Sequence, residues 1–423
     1  MRLAHPGHRG HGSATAARLD LPVSDVYSAL DTPHDDGRRR KWRKRSRARR
    51  RGGQVVVGVV ALLAGILLNA TVLRIGAASH PTNLVIGEKV IQRKSPSPNA
   101  AKKPLTRAAA AVSWGTPVLV DASSPLQSVS CPTSSFCAAV DAHGQAVLYV
   151  SGSWTAPQRI DGGTQINSVS CSSSSFCAAV DESGNVLYYN GSHWTAPQRI
   201  DRSAFPELTS VSCNGPTFCA SVDGAGNGLV FDGARWSPPQ QVDPAGWSRV
   251  SRDIATVSCP TAGFCVGVTP EDYGFFYSNG SWQPESSLIA SAPVTTIKYR
   301  NPVSCPSVTF CVAAENLGQI VAYDGTQWSL PVTVDPSNYI AALSCASATF
   351  CAAVDGLLPP GFNDYSGGSS GQVFIYDGLS WSAPVQVDQF GVVTSLSCPT
   401  STFCVAVDDS GHAVVATHTS PGR

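Results

Sequence analysis

Cysteine is absent from the first 130 residues of this 423-residue chain, and all fourteen cysteines lie between Cys131 and Cys404. A disulfide framework is therefore confined to the later part, which points to an oxidising compartment for that part alone. Charge is scarce, at 14% of residues, and unevenly spread: residues 1–111 carry 21 Lys and Arg against 6 Asp and Glu, and residues 112–423 carry 9 against 23. So acidic a body excludes nucleic acid or acidic polymers as partners of its whole surface, leaving only a local Arg cluster to hold them. The paired cysteines lack C-x-x-C form and no histidine recurs beside them, which argues against zinc. No H-E-x-x-H occurs and no G-x-S-x-G stands between a strand and a helix, so the common hydrolase motifs are missing. The acidic stretches "DESG" at Asp181 and "DDSG" at Asp408 offer too few oxygens for calcium and read as turns. No cofactor and no metal are expected.

Charge disappears altogether in "VVVGVVALLAGILLNATVL", Val55 to Leu73, a run of nineteen residues that as a helix can cross a bilayer. Before it stands "RRRKWRKRSRARRR", Arg38 to Arg51, with eleven basic residues in fourteen positions. The positive-inside bias keeps that end cytoplasmic and the cysteine-rich end outside. Cleavage after the small residues Gly76-Ala77-Ala78 is the competing reading, but the leader and the apolar core are longer than those of a signal peptide, which favours an uncleaved signal anchor. The expected organisation is a disordered basic cytoplasmic tail over 1–53, a transmembrane helix over 54–76, an extracellular linker over 77–112 and a folded domain over 113–423. The linker, with "KSPSPNAAKKPLTRAAAA", is rich in Pro, Ser, Lys and Ala and has no apolar period.

The cysteines form seven C-x5-C pairs: Cys131 with Cys137, Cys171 with Cys177, Cys213 with Cys219, Cys259 with Cys265, Cys305 with Cys311, Cys345 with Cys351 and Cys398 with Cys404. They recur every 40 to 53 residues, and that period is the one of propeller blades. In one unit "INSVSC", "SFCAAVD", "GNVLYYN" and "SHWTAPQRID" read as four strands bounded by turn residues. Asn190-Gly191, Asp232-Gly233, Asn279-Gly280, Asp324-Gly325 and Asp377-Gly378 suit tight hairpins between the third and fourth strands. The second strand is almost all apolar, as when both faces are covered, and side chains grow from Ser and Ala in the first strand to Tyr and Trp in the last. Such a gradient suits sheets that crowd at an axis and fan outward. Trp154, Trp194, Trp236, Trp282, Trp328 and Trp381 each follow a pair, the seventh pair has none, and Trp114 in "SWGTPVLVD" precedes the first. The expectation is an all-β, seven-bladed β-propeller closed by an N-terminal fourth strand, which also hides open sheet edges. Each C-x5-C spacing is compatible with a disulfide across the first hairpin of its unit, pairing between neighbouring blades being the alternative.

The units "SVSCPTSSFCAAVDAHGQAVLYVSGSW" and "LSCPTSTFCVAVDDSGHAVVA" resemble the cysteine-paired β-propeller repeats of membrane-anchored bacterial surface proteins, some of which carry cytoplasmic kinase domains. No Gly-rich loop, VAIK-like lysine or HRD motif is present, so the resemblance implies fold and exterior placement and no enzymatic signalling. It implies a binding or sensing module. The "SG(S)W" and "DG(x)xW" elements are similar to the Asp-box of sialidase-like propellers, but the motif is broken apart, and Arg159 and Arg199 fall on outer strands rather than clustering.

Length variation collects in Asp243–Ala255, Glu285–Pro302 and Asp355–Gln372, all connections of one face. Variable, aromatic-bearing loops on a rigid ring form a recognition surface. The candidate ligand-binding residues are Trp247, Arg249, Arg252, Asp253, Asp272, Tyr273, Tyr299, Arg300, Phe362, Asn363, Asp364 and Tyr365. The expected partners are the membrane, through a single span, and a cell-wall glycan or another surface protein. A carbohydrate-active propeller enzyme and an architectural scaffold are the rival readings.

Overall fold

Each cysteine pair brackets the first hairpin of one antiparallel sheet, and seven such sheets make an all-β, seven-bladed propeller. The computed structural model describes residues 112–242, 256–269, 273–287, 301–315, 318–356 and 371–418. The tail, the apolar run and the linker up to residue 111 lie outside these residues, and Val112, expected to end the linker, opens a strand. Among the described residues no helix is long and apolar enough to cross a membrane.

Blade 1 runs outward from Leu126–Thr133 through Phe136–Asp141 and Gln145–Val150 to the short outer pieces Ser153–Trp154 and Gln158–Arg159. The second strand is buried at every position in Phe136–Asp141, Phe218–Asp223 and Phe403–Asp408, because a neighbouring sheet covers each of its faces. Toward the rim an aromatic of the third strand packs on the tryptophan of the fourth: Tyr149 on Trp154 (5.2 Å between ring centres), Tyr189 on Trp194 (5.4 Å) and Phe231 on Trp236 (5.7 Å). Trp236 Nε1 also donates to Tyr188 Oη across the junction of blades 2 and 3 at 2.6 Å.

The fourth strand differs from the continuous ten-residue strand expected from "SHWTAPQRID". In blade 2 it is a bridge at Trp194 followed by the two-residue strand Gln198–Arg199. Pro197 interrupts it, having no N–H for a ladder. The residue after the tryptophan repairs the gap: Thr195 Oγ1 accepts the Tyr188 N–H at 3.0 Å, and Ser237, Ser329 and Ser382 do the same in their blades.

In blade 7 the place of a fourth strand is taken by the other end of the chain. Val112–Trp114 and Val118–Leu119 both pair antiparallel with His412–His418, with Trp114 opposite Ala416.

The sulfur pairing decides between the two alternatives left open by the spacing. Cys131 is bonded to Cys137, Cys171 to Cys177, Cys213 to Cys219, Cys259 to Cys265, Cys305 to Cys311, Cys345 to Cys351 and Cys398 to Cys404. Every bridge thus joins the first two strands of one blade, none runs between neighbouring blades, and no cysteine is free. The partner on the second strand, Cys137, Cys177, Cys219, Cys265, Cys311, Cys351 or Cys404, is fully buried in each blade. These seven residues are framework and offer no sulfur to a ligand.

The innermost strands reveal why serine recurs immediately before each first cysteine. Cys171 N–H donates to Ser130 Oγ of the preceding blade, and Cys213, Cys259, Cys305, Cys345 and Cys398 likewise reach Ser170, Ser212, Ser258, Ser304 and Ser344, all at 2.9–3.0 Å. Cys131 N–H reaches Ser397 Oγ at 2.9 Å, so this belt of bonds also joins the first blade to the last. A hydroxyl is needed there as an acceptor, since an unmet backbone donor in a partly dry interface is costly. Ser170→Ala is expected to lower unfolding free energy by about 1 kcal/mol through the lost Cys213 contact, read from chemical denaturation. An unchanged midpoint would show that water serves Cys213 equally well.

Candidate functional site

The up-and-down strand order leaves two unlike faces. On the first, the two turns of blades 2, 3, 5 and 6 pack on one another. Gly191, Gly233, Gly325 and Gly378 hold φ of 93–94°, and a Cβ on Gly191 would stand 3.2 Å from the Ser175 Cα. Asp232 Oδ1 accepts the N–H groups of Ala234 and Arg235, both at 2.9 Å, and Asp324 and Asp377 cap their turns alike. Donors in water favour the ionised form, so these carboxyls are held below the usual range, chiefly by the Arg235 N–H, the Thr326 hydroxyl and the Ser380 N–H. They are turn caps.

The second face carries the connections from the second to the third strand and from each blade to the next. Its unit is a knot around one glycine and two aspartates. In blade 1 the second-strand residue Asp141 caps the turn, its Oδ1 accepting the His143 N–H at 3.0 Å and the Gln145 N–H at 2.6 Å. Gly144, at φ 77°, offers its carbonyl to the N–H groups of Ile160 and Asp161 at 2.9 and 3.0 Å, which ties down the end of the outer strand. Gly184, Gly318, Gly371 and Gly411 repeat the double bond, and Gly411 uses it to hold Val120 and Asp121.

Asp161 then reaches the next blade, where it meets Asp181. The same meeting of a blade-linking acid with a second-strand acid joins Asp121 to Asp141, Asp201 to Asp223, Asp335 to Asp355 and Asp388 to Asp408. All ten side chains are buried. Burial, reinforced by the facing carboxyl, pushes Asp161, Asp223 and Asp408 up to about 6 and Asp355 up to about 7, and raises Asp141. The sequence predicts turn chemistry alone for Asp181 and Asp408. The hydrogen bonds bear it out, and the facing acid adds a second role. A signal for it is present in the spacing: an aspartate ending the fourth strand precedes the one ending the next second strand by twenty residues at 121/141, 161/181, 335/355 and 388/408. Among the described residues no three His, Cys, Asp or Glu side chains gather as metal ligands would.

Of the twelve candidate ligand-binding residues, Tyr273 alone lies among those described. It opens the third strand of blade 4, half-buried, with its N–H donating to Thr269 Oγ1 at 3.3 Å and its carbonyl accepting the Thr269 N–H at 2.8 Å. Trp247, Arg249, Arg252, Asp253, Asp272, Tyr299, Arg300, Phe362, Asn363, Asp364 and Tyr365 fall outside the described residues. The ends of the variable segments belong to the framework rather than to loops. Ser281–Ser287 is strand, with Ser287 opposite Tyr273; Asn301 is buried, with Nδ2 donating to the Thr269 carbonyl at 3.1 Å; and Asp355 is a junction acid.

No family model and no curated protein matches this chain. Solved propellers do. YCF48 bound to a D1 peptide superposes with a TM-score of 0.55 at 13% identity, over 73% of this chain and 97% of that one. YCF48 from Cyanidioschyzon merolae gives 0.53 at 14% identity, over 72% and 98% of the two chains. U3-55K gives 0.54 at 10% identity, over 73% and 99%. Identities this low carry the fold alone.

Proposed function

We propose that this chain is a membrane-anchored binding module whose propeller, outside the cell, takes a surface protein or a cell-wall glycan on its blade-linking face. The observation that carries the reading is the inequality of the two faces. One is built from seven near-identical, disulfide-strapped turns. The other receives every segment of unusual length, namely those containing 243–255, 288–300 and 357–370. A rigid ring that varies on one side only has its specificity there. That the fold is shared with a protein whose structure holds a bound peptide supports a peptide or protein as occupant. The exterior setting is supported by the complete pairing of fourteen cysteines, and the anchor by the uncharged run Val55 to Leu73 behind its basic flank. Trp247, Arg249, Arg252, Asp253, Asp272, Tyr273, Tyr299, Arg300, Phe362, Asn363, Asp364 and Tyr365 are the proposed contacts, with a binding rather than a catalytic role.

Intact cells expressing the full chain provide the test. External protease should remove the propeller and spare the basic tail, and cross-linking should capture a partner that is lost when 288–300 and 357–370 are shortened. Equal capture by both forms would move binding off this face, and a protected propeller would refute the exterior setting.

A further inference from the structure

We propose that three consecutive junctions of the ring, between blades 6 and 7, 7 and 1, and 1 and 2, are proton-held: at each, two buried carboxyls share one proton, and the seam loosens when it is lost. These junctions flank the place where the two ends of the propeller chain meet. At each, the linking aspartate uses Oδ1 to cap its own turn, Asp388 for the Phe390 N–H, Asp121 for the Ser123 N–H and Asp161 for the Gly162 N–H, at 2.7–2.9 Å. Its Oδ2 is buried with no donor to accept from. What it faces is another carboxyl, Asp408, Asp141 or Asp181, within hydrogen-bonding reach. Two ionised carboxylates so placed repel with little water to screen them, whereas one proton turns the repulsion into a charge-assisted bond.

The two remaining described junctions differ in geometry, because there a neutral donor reaches the linking acid, although their second-strand acids, Asp223 and Asp355, are raised as well. Ser203 Oγ donates to Asp201 Oδ2 at 3.1 Å, and Asn338 Nδ2 lies 3.3 Å from Asp335 Oδ2 and 3.0 Å from Asp355 Oδ2. The other titratable or charged groups about the seam are few. His412 Nδ1 lies 3.1 Å from Asp408 Oδ2 and Asp409 follows it; His143 gives Asp141 its backbone N–H; Glu182 follows Asp181; Arg159 lies beside Gly163; and Arg199 bonds the Asp201 carbonyl. Among the described residues His412 is the one basic side chain in ion-pair range of a seam acid.

The sign follows from linkage. A carboxyl that holds its proton more tightly folded than unfolded stabilises the fold in acid, and that stability is lost as pH rises through the folded value, about 6 for Asp161 and Asp408. In urea unfolding of the oxidised full chain, the junctions of Asp161 and Asp408 should each contribute about a tenfold larger unfolding constant at about pH 8 than at about pH 5, read as the difference between the wild type and the variant that removes the pair. In Asp161→Asn the amide supplies the missing donor, so that junction's share of the change should vanish. Asp388→Asn in a His412→Gln background, which removes the imidazole beside Asp408, should do the same. An unchanged pH response in these variants would overturn the proposal. So would calcium restoring the wild type at about pH 8 but not the variants, which would make the pair a cation site. If a variant does not fold, infrared spectroscopy of the chain with Asp223→Asn and Asp355→Asn, which removes the raised acids outside the seam, decides: a protonated-carboxyl carbonyl band persisting near about pH 6 supports the seam, and its absence refutes it.

Discussion

Reduction of the seven disulfides is expected to unfold the propeller outright. Each bridge closes a loop of sequence separation 6 between neighbouring strands, and in the chain-entropy view a loop that small contributes about 2 kcal/mol. Seven together are on the order of 10 kcal/mol, which equals the whole net stability of an ordinary domain. The second cysteine of every pair is fully buried, so reductant alone should act slowly and reductant with moderate urea quickly. Near-ultraviolet circular dichroism, dominated by the packed Tyr and Trp rings, should collapse with the urea midpoint. The double variant with Cys171→Ser and Cys177→Ser isolates one bridge and should cost about 2 kcal/mol. A reduced protein with the oxidised midpoint would mean that packing alone carries the fold.

The second large effect concerns the outer edge of blade 7. Deleting residues 112–121 removes both strands paired with His412–His418, the two N–H groups on the Gly411 carbonyl and the acid facing Asp141. An uncovered seven-residue strand is then a template for pairing with other chains. We expect loss of cooperative unfolding and concentration-dependent aggregation, read by scanning calorimetry and light scattering. A point substitution tests the same tie. Gly411 holds φ 82°, and a Cβ there would stand 1.7 Å from the Asp121 carbonyl oxygen, so Gly411→Ala should cost on the order of 3 kcal/mol. At Gly263 a Cβ meets nothing within 4 Å, which makes Gly263→Ala the neutral control. Equal stability of the two variants would show that the N-terminal segment is dispensable.

The blade count, the strand order and the buried second strand were legible in sequence because they depend on period and polarity. Seven cysteine pairs at a near-constant spacing mark seven hairpins, and an uninterrupted "FCAAV" marks a strand covered on both faces. The fourth strand was overread, since the proline that breaks it is compensated by a hydroxyl two residues earlier, a bond that no propensity encodes. Of the candidate site, the sequence showed that the long connections fall on one side of the ring, and Tyr273, the one candidate among the described residues, opens a third strand on that side.

By itself, then, the sequence determined most of what is local: turns, hairpins, the spacing of the bridges and the repeat that demands a neighbour on either side of each sheet. Tertiary structure alone decided what a residue does for the adjoining blade. Ser130 looks like any strand serine until Cys171 of the next blade donates to it, and Asp161 looks like any turn former until Asp181 faces it. The reason is physical: hydrogen bonding and proton affinity depend on which atoms meet and how much water is excluded, and blade-to-blade contacts bring together atoms some forty or twenty residues apart.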